Sequence, residues 1–504
     1  MRAIACAGLC LGMLAARANA LSAQDAGSKW AKRRAQYPEL VSAYDLAEGA
    51  PAPLKAFALL QIATAPALKD RDWKKELLDE AFPAAVQSPI PWPATYVWTP
   101  ETSVPADNSP KRIELSVRMG AGLNRLMLET RIVEAMLGID TAQSISMFNQ
   151  IGPLRLPVLT CADGIIPNVA LYYQTATAVA QNGFTATEKQ RGDPTEFLRG
   201  LVTSISSPVE INPVAIMLST RGLPVATAPL ISDFARKLET LGEDDRAFFA
   251  DLDGTSETVM NLADSANDSL NIAVLKAWRN HSITNLKDGR CTETLNEKWK
   301  YSKSAAEAVA AFNSRVVGHE SVAPIEKEDV FPVRRDPGSA DDSPFPMSVA
   351  EAELNKRWRL LGFTQARGGP TDEQKADPGW IASFEEYLDD VADLKPASDE
   401  SEADVWRYKD GLMHIAVMIA PLGPVRERAI PQYLRMLELN TVTSEMASDW
   451  YIEVESFVFM SNMLTPDHGE VTKELETSHV PLLMLMAKLE RLKRAAETAA
   501  RIKN

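Results

Sequence analysis

The feature that most narrows the fold is a punctuation repeated along the chain. An Asp, Asn or Ser stands at a helix start, and behind it apolar residues recur three and four positions apart. Asp140 precedes Thr141-Ala142-Gln143, so its carboxylate can accept from first-turn amides while Gln143 reaches back, as in a capping box. Asp193-Pro194-Thr195-Glu196, Asn212-Pro213 and Asp377-Pro378 place a proline where a helix begins, and there its missing N–H leaves no bond unmade. Ser348 with Glu351 opens a further helix, which Gly362 is placed to close in a left-handed cap. Phe197, Leu198, Leu201, Val202 and Ile205 fall on one helical face, as do Phe384, Tyr387, Leu388, Val391 and Leu394. No set of alternating strands accompanies them. The proline-rich piece 209–230 carries the weakest helix signal.

The expected fold is therefore all-α: an irregular stack of helical hairpins, either α-solenoid-like or a series of successive bundles. Leu59-Leu60-Gln61-Ile62-Ala63 leads through Asp70 and Asp72 into Trp73-Lys74-Lys75-Glu76-Leu77-Leu78, a helix expected to end near Ala81-Phe82. Leu126 to Ala135 leads through Asp140 into Ser146-Met147-Phe148 in the same way. Each helix has one apolar face and must bury it on a neighbour, which favours stacked hairpins. The two units lie about 68 residues apart, and no fixed period of about 34 or 40 residues runs through the chain. The expected divisions are a signal peptide at 1–20, a helical-hairpin region at 21–330, a Pro/Asp/Ser-rich linker or long loop at 331–345, and a helical region at 346–504.

Residues 1–20 read as an export signal. Arg2 gives a basic start, an apolar run follows to Ala16, and Ala18-Asn19-Ala20 supplies the small residues of a cleavage site. The run is shorter than the roughly 20 residues needed to span a bilayer. Cleavage after Ala20 would deliver a periplasmic or secreted chain starting at Leu21. Arg17 is unusual so near the cleavage site, and neither Cys6 nor Cys10 has the setting of a lipidated cysteine. Removing the signal takes away Arg2 and Arg17 and no acid, which moves the formal charge from −15 to −17. So acidic a surface repels phosphate backbones, and nucleic acid is not an expected partner. No second apolar run reaches membrane length, since 415–420 runs into Pro421.

Two cysteines remain after cleavage, Cys161 and Cys291, an even pair suited to an oxidising compartment. Both lie in loop-like segments, Thr160-Cys161-Ala162-Asp163-Gly164 and Asp288-Gly289-Arg290-Cys291. A bridge between them would close about 130 residues, a loop for which chain entropy alone is worth about 4–5 kcal/mol. Two separately buried thiols are the alternative.

Chemical signatures are sparse. No phosphate loop or nucleophile elbow is present, and Gly120-Ala121-Gly122 lacks the third glycine of a dinucleotide turn. His319-Glu320 has no second His four residues on. His468 and His479, with Glu470, Glu474 and Glu476 between them, read as solvated polar residues. Asp251-Leu252-Asp253-Gly254-Thr255-Ser256-Glu257 lacks the Gly and Glu that a calcium loop requires and reads as a helix-ending turn. No metal, cofactor or catalytic residue is expected. Gly411-Leu412-Met413-His414 and Glu455-Ser456-Phe457 resemble motifs of lytic transglycosylases, but in the reverse order, and Glu455 falls within a helix pattern. Trp92, Tyr96 and Trp98, around Pro89-Ile90-Pro91-Trp92-Pro93, could present flat rings to a ligand; packing as an ordered loop is the plainer expectation. The cations of the last helix, Lys488, Arg491, Lys493, Arg494, Arg501 and Lys503, are expected to complement its dipole.

Ala58-Leu59-Leu60-Gln61-Ile62-Ala63, Asp72-Trp73-Lys74-Lys75-Glu76-Leu77-Leu78, Leu159-Thr160-Cys161, Gly289-Arg290-Cys291 and the stretch 424–450 together resemble a group of uncharacterised secreted helical proteins of bacteria. The resemblance covers most of the mature chain and implies a shared fold without assigned chemistry. The functional expectation is an exported, non-catalytic binding or scaffold protein of the cell envelope, its partner another protein or an envelope glycan. The alternative is an envelope glycan-active enzyme, hydrolase or lyase, using paired carboxylates in a helical cleft.

Overall fold

The computed structural model describes residues 29–96, 123–159, 165–242, 247–249, 251–287, 300–326, 371–395, 424–439, 442–444, 446–464 and 475–503, with shorter pieces at 356, 361–362, 405–406, 409–410, 412–413 and 416. The fold is all-α. In chain order the helices are α1 (29–36), α2 (Pro38–Ala47), α3 (Ala52–Thr64), α4 (Arg71–Val86), α5 (Arg125–Leu137), α6 (Thr141–Ile151), α7 (Ala170–Asn182), α8 (Ala186–Arg191) and α9 (Asp193–Ser204). They continue as α10 (Ile211–Ser219), α11 (Thr227–Thr240), α12 (Leu252–Ser265), α13 (Asp268–Leu286), α14 (Lys300–Val316), α15 (Pro378–Asp393), α16 (Pro424–Leu437), α17 (Ala447–Leu464) and α18 (Pro481–Lys503).

Asp140 and Asp377 act as read, whereas Asn212 lies inside α10, one residue past its start, and caps nothing. Asp70, Asp140 and Asp377 each accept from the amide three residues on, at 2.9–3.0 Å. Asn124 and Asn267 do the same for α5 and α13. Each bond satisfies one of the amides that a helix start leaves without an internal partner. Gly362 takes the left-handed conformation at φ +90°; Ser348 and Glu351 lie outside the described residues.

Four further readings are corrected. Gln143 does not reach back to its cap but donates to Asp79 on α4 at 3.3 Å. Asp193 is inside α9 and pairs with Arg191 at 2.6 Å. The cap position belongs to Gly192, whose left-handed turn ends α8 and leads directly into α9. Asp251 precedes α12, so its segment opens a helix rather than ending one. Finally, α4 runs past Phe82 through Pro83 to Val86.

Short extended segments appear where proline forbids a helix. Ala94–Tyr96 (β1) and Ile165–Pro167 (β2) pair antiparallel, with Thr95 opposite Ile166. Pro91 and Pro93 lack amides and push the residues before them out of helical geometry, which explains an extended entry.

Helix α3 organises the core. Leu54, Ala56, Ala58, Leu59 and Ile62 are all fully enclosed, because α2, α4, α5, α17 and α18 pack around it. A helix apolar on nearly every side has to be surrounded in this way. Phe57 meets Tyr451 of α17 edge-on at 4.9 Å, and Lys488 of α18 reaches Glu39 of α2 at 3.1 Å. The last helix thus lies against the first ones, and one hydrophobic core runs through both halves of the chain. Between α5 and α14 helices pack on the next but one: α5 on α7, α7 on α9, α9 on α11, α11 on α13, and α10 on α12, α12 on α14. Lys75 of α4 pairs with the cap residue Asp140 at 2.6 Å, and Arg71 donates to the Ile139 carbonyl, joining the first hairpin to the second.

Candidate functional site

A recess of about 400 Å³ opens between α1, the start of α2 and the turn that enters α4. Its floor is rigid. The Arg33 guanidinium sits between Trp30 and Trp73, 5.7 and 5.2 Å from their ring centres, and donates to Glu76 at 2.7 Å. Asp70 stands 3.6 Å from Arg33 while its other oxygen caps α4. Burial opposes the charge on Arg33, but Glu76 and Asp70 outweigh it and raise its pKa further. The Tyr37 ring lies 5.8 Å from Trp73, and its hydroxyl accepts the Lys69 amide at 3.4 Å.

Around this floor stand three lysines. Lys29 and Lys32 lie one turn apart on α1, Lys69 approaches from the entry to α4, and all three are exposed. None of the three forms an ion pair with another described residue. The acids at the rim are Asp70, committed to cap and Arg33, and exposed Asp72. The recess therefore presents ammonium groups near the positive end of the α4 dipole, a setting for an anionic group.

Sequence reasoning missed this site, although its signal is local. Lys29-Trp30-Ala31-Lys32-Arg33-Arg34 holds four cations in six residues of a chain with net charge −15.

The residues that the sequence singles out form no common site among the described residues. Trp92 is half-buried against the core rather than presented outward. Tyr96 lies in β1, but its side chain, like Trp98, Cys161 and Cys291, is outside the described residues. The Gly120-Ala121-Gly122 segment, His414 and His468 are outside them as well. His319 and His479 are exposed, and no group of three His, Cys, Asp or Glu among the described residues could hold a metal. Glu455 pairs with Lys493 of α18 at 3.2 Å beside Tyr451. The cleft there measures about 20 Å³, room for about one water and not for a sugar ring. The cations of α18 serve neighbouring helices: Lys488 and Arg491 meet Glu39, and Arg491 also meets Glu476. Lys488 and Arg491 stand well before the helix end, so cross-helix pairing and not the dipole accounts for them.

Paired carboxylates do occur, at Asp410 and Glu453. Both are enclosed in the core rather than set about 5–10 Å apart across an open cleft, as glycoside hydrolysis requires. No described helix is long and apolar enough to cross a membrane. No known protein family, curated protein or solved structure matches the chain.

Proposed function

We propose that the protein is an exported binding or scaffold protein of the cell envelope that engages an anionic envelope glycan through the recess of Lys29, Lys32 and Lys69. The observation that supports this reading is the grouping of three exposed lysines, none ion-paired with a described residue, around a braced aromatic and guanidinium floor in a strongly acidic chain. Arg33 fixes the floor, and the lysines can close on carboxylate or phosphate groups without first breaking an ion pair to a described residue. The staggered helices α5 to α14 act as a solenoid-like support. The export signal at 1–20 supplies the compartment, in which Cys161 and Cys291 form a bridge.

The test is co-sedimentation of the mature protein with purified anionic envelope polysaccharide at low and high salt. Binding that weakens with salt, and falls about tenfold in the Lys32→Glu/Lys69→Glu double variant, supports the reading. Binding indifferent to both salt and the double variant contradicts it. An N-terminal sequence beginning at Leu21 and no free sulfhydryl in the unreduced, denatured protein test export and the bridge.

A further inference from the structure

The recess beside α1 holds two kinds of cation, and only one kind is free to meet a ligand. Arg33 carries the sole guanidinium among the described residues that line it. That guanidinium sits between the rings of Trp30 and Trp73, donates from Nη1 to Glu76 at 2.7 Å, and places Nε 3.6 Å from Asp70. The residue is 6% exposed. The planar fork that would clasp a carboxylate through two parallel bonds is therefore committed inside the protein.

What faces outward is point charge and one hydroxyl. Lys29 and Lys32 rise from α1 and Lys69 from the entry to α4, each exposed and none ion-paired with a described residue. Each ammonium carries three donors on a flexible stem. The Tyr37 hydroxyl accepts the Lys69 amide at 3.4 Å, which leaves its own proton to donate. The rings of the floor are occupied with one another: Trp30 lies 5.0 Å from Tyr44 and 6.0 Å from Trp73, and Trp73 is 1% exposed. Recognition thus rests on the anionic group of a ligand more than on stacking of a sugar ring. Asp72 opposes any anion, but the three lysines outnumber it.

Resting on the anionic-glycan reading of this recess, we propose that its preferred ligand group is a phosphate monoester and not a carboxylate. Near pH 7 a phosphate monoester carries about −1.5 to −2 charge on three terminal oxygens, against −1 on two for a carboxylate. Attraction to three cations grows with the charge of the ligand. Ammoniums arriving from α1 and from the turn into α4 can meet a tetrahedral set of oxygens, each as a point charge. A carboxylate gains its advantage from a bidentate fork, and that fork is what Arg33 withholds.

The test is isothermal titration of the full mature protein with glucose 6-phosphate and with glucuronate, sugars that differ in the anionic group at the sixth carbon, beside inorganic phosphate. At about pH 7.5 glucose 6-phosphate is expected to bind about tenfold more tightly than glucuronate. No lining residue is a histidine, so lowering the pH to about 5.5 acts on the phosphate, whose second pKa is near 6, and should narrow the ratio to about threefold. The Lys32→Arg/Lys69→Arg variant supplies forks and should narrow the ratio at about pH 7.5 in the same way. Inorganic phosphate that binds as tightly as glucose 6-phosphate supports recognition of the phosphate alone; weaker binding of inorganic phosphate supports a phosphate carried on a sugar. Glucuronate binding as tightly as glucose 6-phosphate, or a ratio indifferent to pH, overturns the phosphate preference and leaves the anionic-glycan reading in place. So does silence from both sugars while polysaccharide still co-sediments in a lysine-dependent way. Loss of that polysaccharide binding as well overturns both.

Discussion

Glu210 and Glu453 pose the same physical problem in two regions of the molecule, and the chain solves it differently. Each is a buried glutamate taking a hydrogen bond from a buried tyrosine, Tyr173 at 2.6 Å and Tyr433 at 2.5 Å. Glu210 also receives the amides of Ser206 and Ser207 at 2.7 and 3.0 Å and the Ser206 hydroxyl at 3.2 Å. Burial raises its pKa, while Tyr173 and the two amides pull it back. Near Glu453 lie two more buried carboxyls, Asp410 and, a turn away on α17, Asp449; burial and then the charges of Glu453 and Asp449 push the Asp410 carboxyl well above the usual carboxylate range. Amides aimed at a carboxyl replace its lost water, whereas a second carboxyl can be accommodated only by a proton. Burial alone does not decide whether a carboxyl carries charge; the donors built around it do.

The largest separation between the two regions is expected on truncation. Glu210→Ala strands the Tyr173 hydroxyl and two buried amides, and should lower stability by about 3–5 kcal/mol in urea unfolding at neutral pH. A loss below about 1 kcal/mol would place Glu210 outside any donor cradle.

Glu129 sharpens the comparison as a third case. Burial lifts its carboxyl to about 7, against a weaker downward pull from Arg125 one turn earlier. Its folded value exceeds the unfolded one near 4.5, so the folded chain holds the proton longer. Its contribution is therefore fullest below about pH 4.5 and is lost as pH rises to about 7. Glu129→Gln should remove that decline and add about 2 kcal/mol at about pH 8. His281 works from the acid side. Burial, with Phe248 and Trp278 rings beside it, lowers it from 6.5 to about 4, so its contribution is lost as pH falls through that interval. Glu129→Gln should leave this acid limb unchanged in urea midpoints measured across pH.

Asp410→Asn is expected to act in the opposite sense to Glu210→Ala. Asparagine can donate to Glu453 without needing a proton, so stability at about pH 8 should hold or rise by about 1 kcal/mol. The smallest effect belongs to an exposed pair: Lys493→Ala breaks the contact with Glu455 and should cost roughly 0.5 kcal/mol or less in the same assay.

The helical fold was legible because its signals are local. Asp70, Asp140 and Asp377 announce helices through a bond made within one turn, and apolar spacing marks the buried faces. Even the Glu210 cradle had a readable cue, since Ser207-Pro208-Val209-Glu210 is a capping box that closes with both of its bonds. It lies in the proline-rich piece whose helix signal looked weakest. The acid cluster had none. Asp410, Tyr433 and Glu453 come from three separate helical segments, and only packing brings them together. The return of α18 to α2 was equally hidden, because Lys488 and Glu39 are 449 residues apart. The basic recess stands between these cases: its cations are adjacent in sequence, but the Trp30–Arg33–Trp73 floor needs α4 in place.

The most direct measurement is infrared spectroscopy of the carboxyl carbonyl stretch at neutral pH, made in a Glu129→Gln background to remove an acid that also titrates in that range. A band from a protonated carboxyl that disappears in Asp410→Asn and persists in Glu210→Gln is the expected result. No protonated band at neutral pH, or a band lost with Glu210 and kept without Asp410, would contradict the assignment of the proton to the Asp410–Glu453 pair.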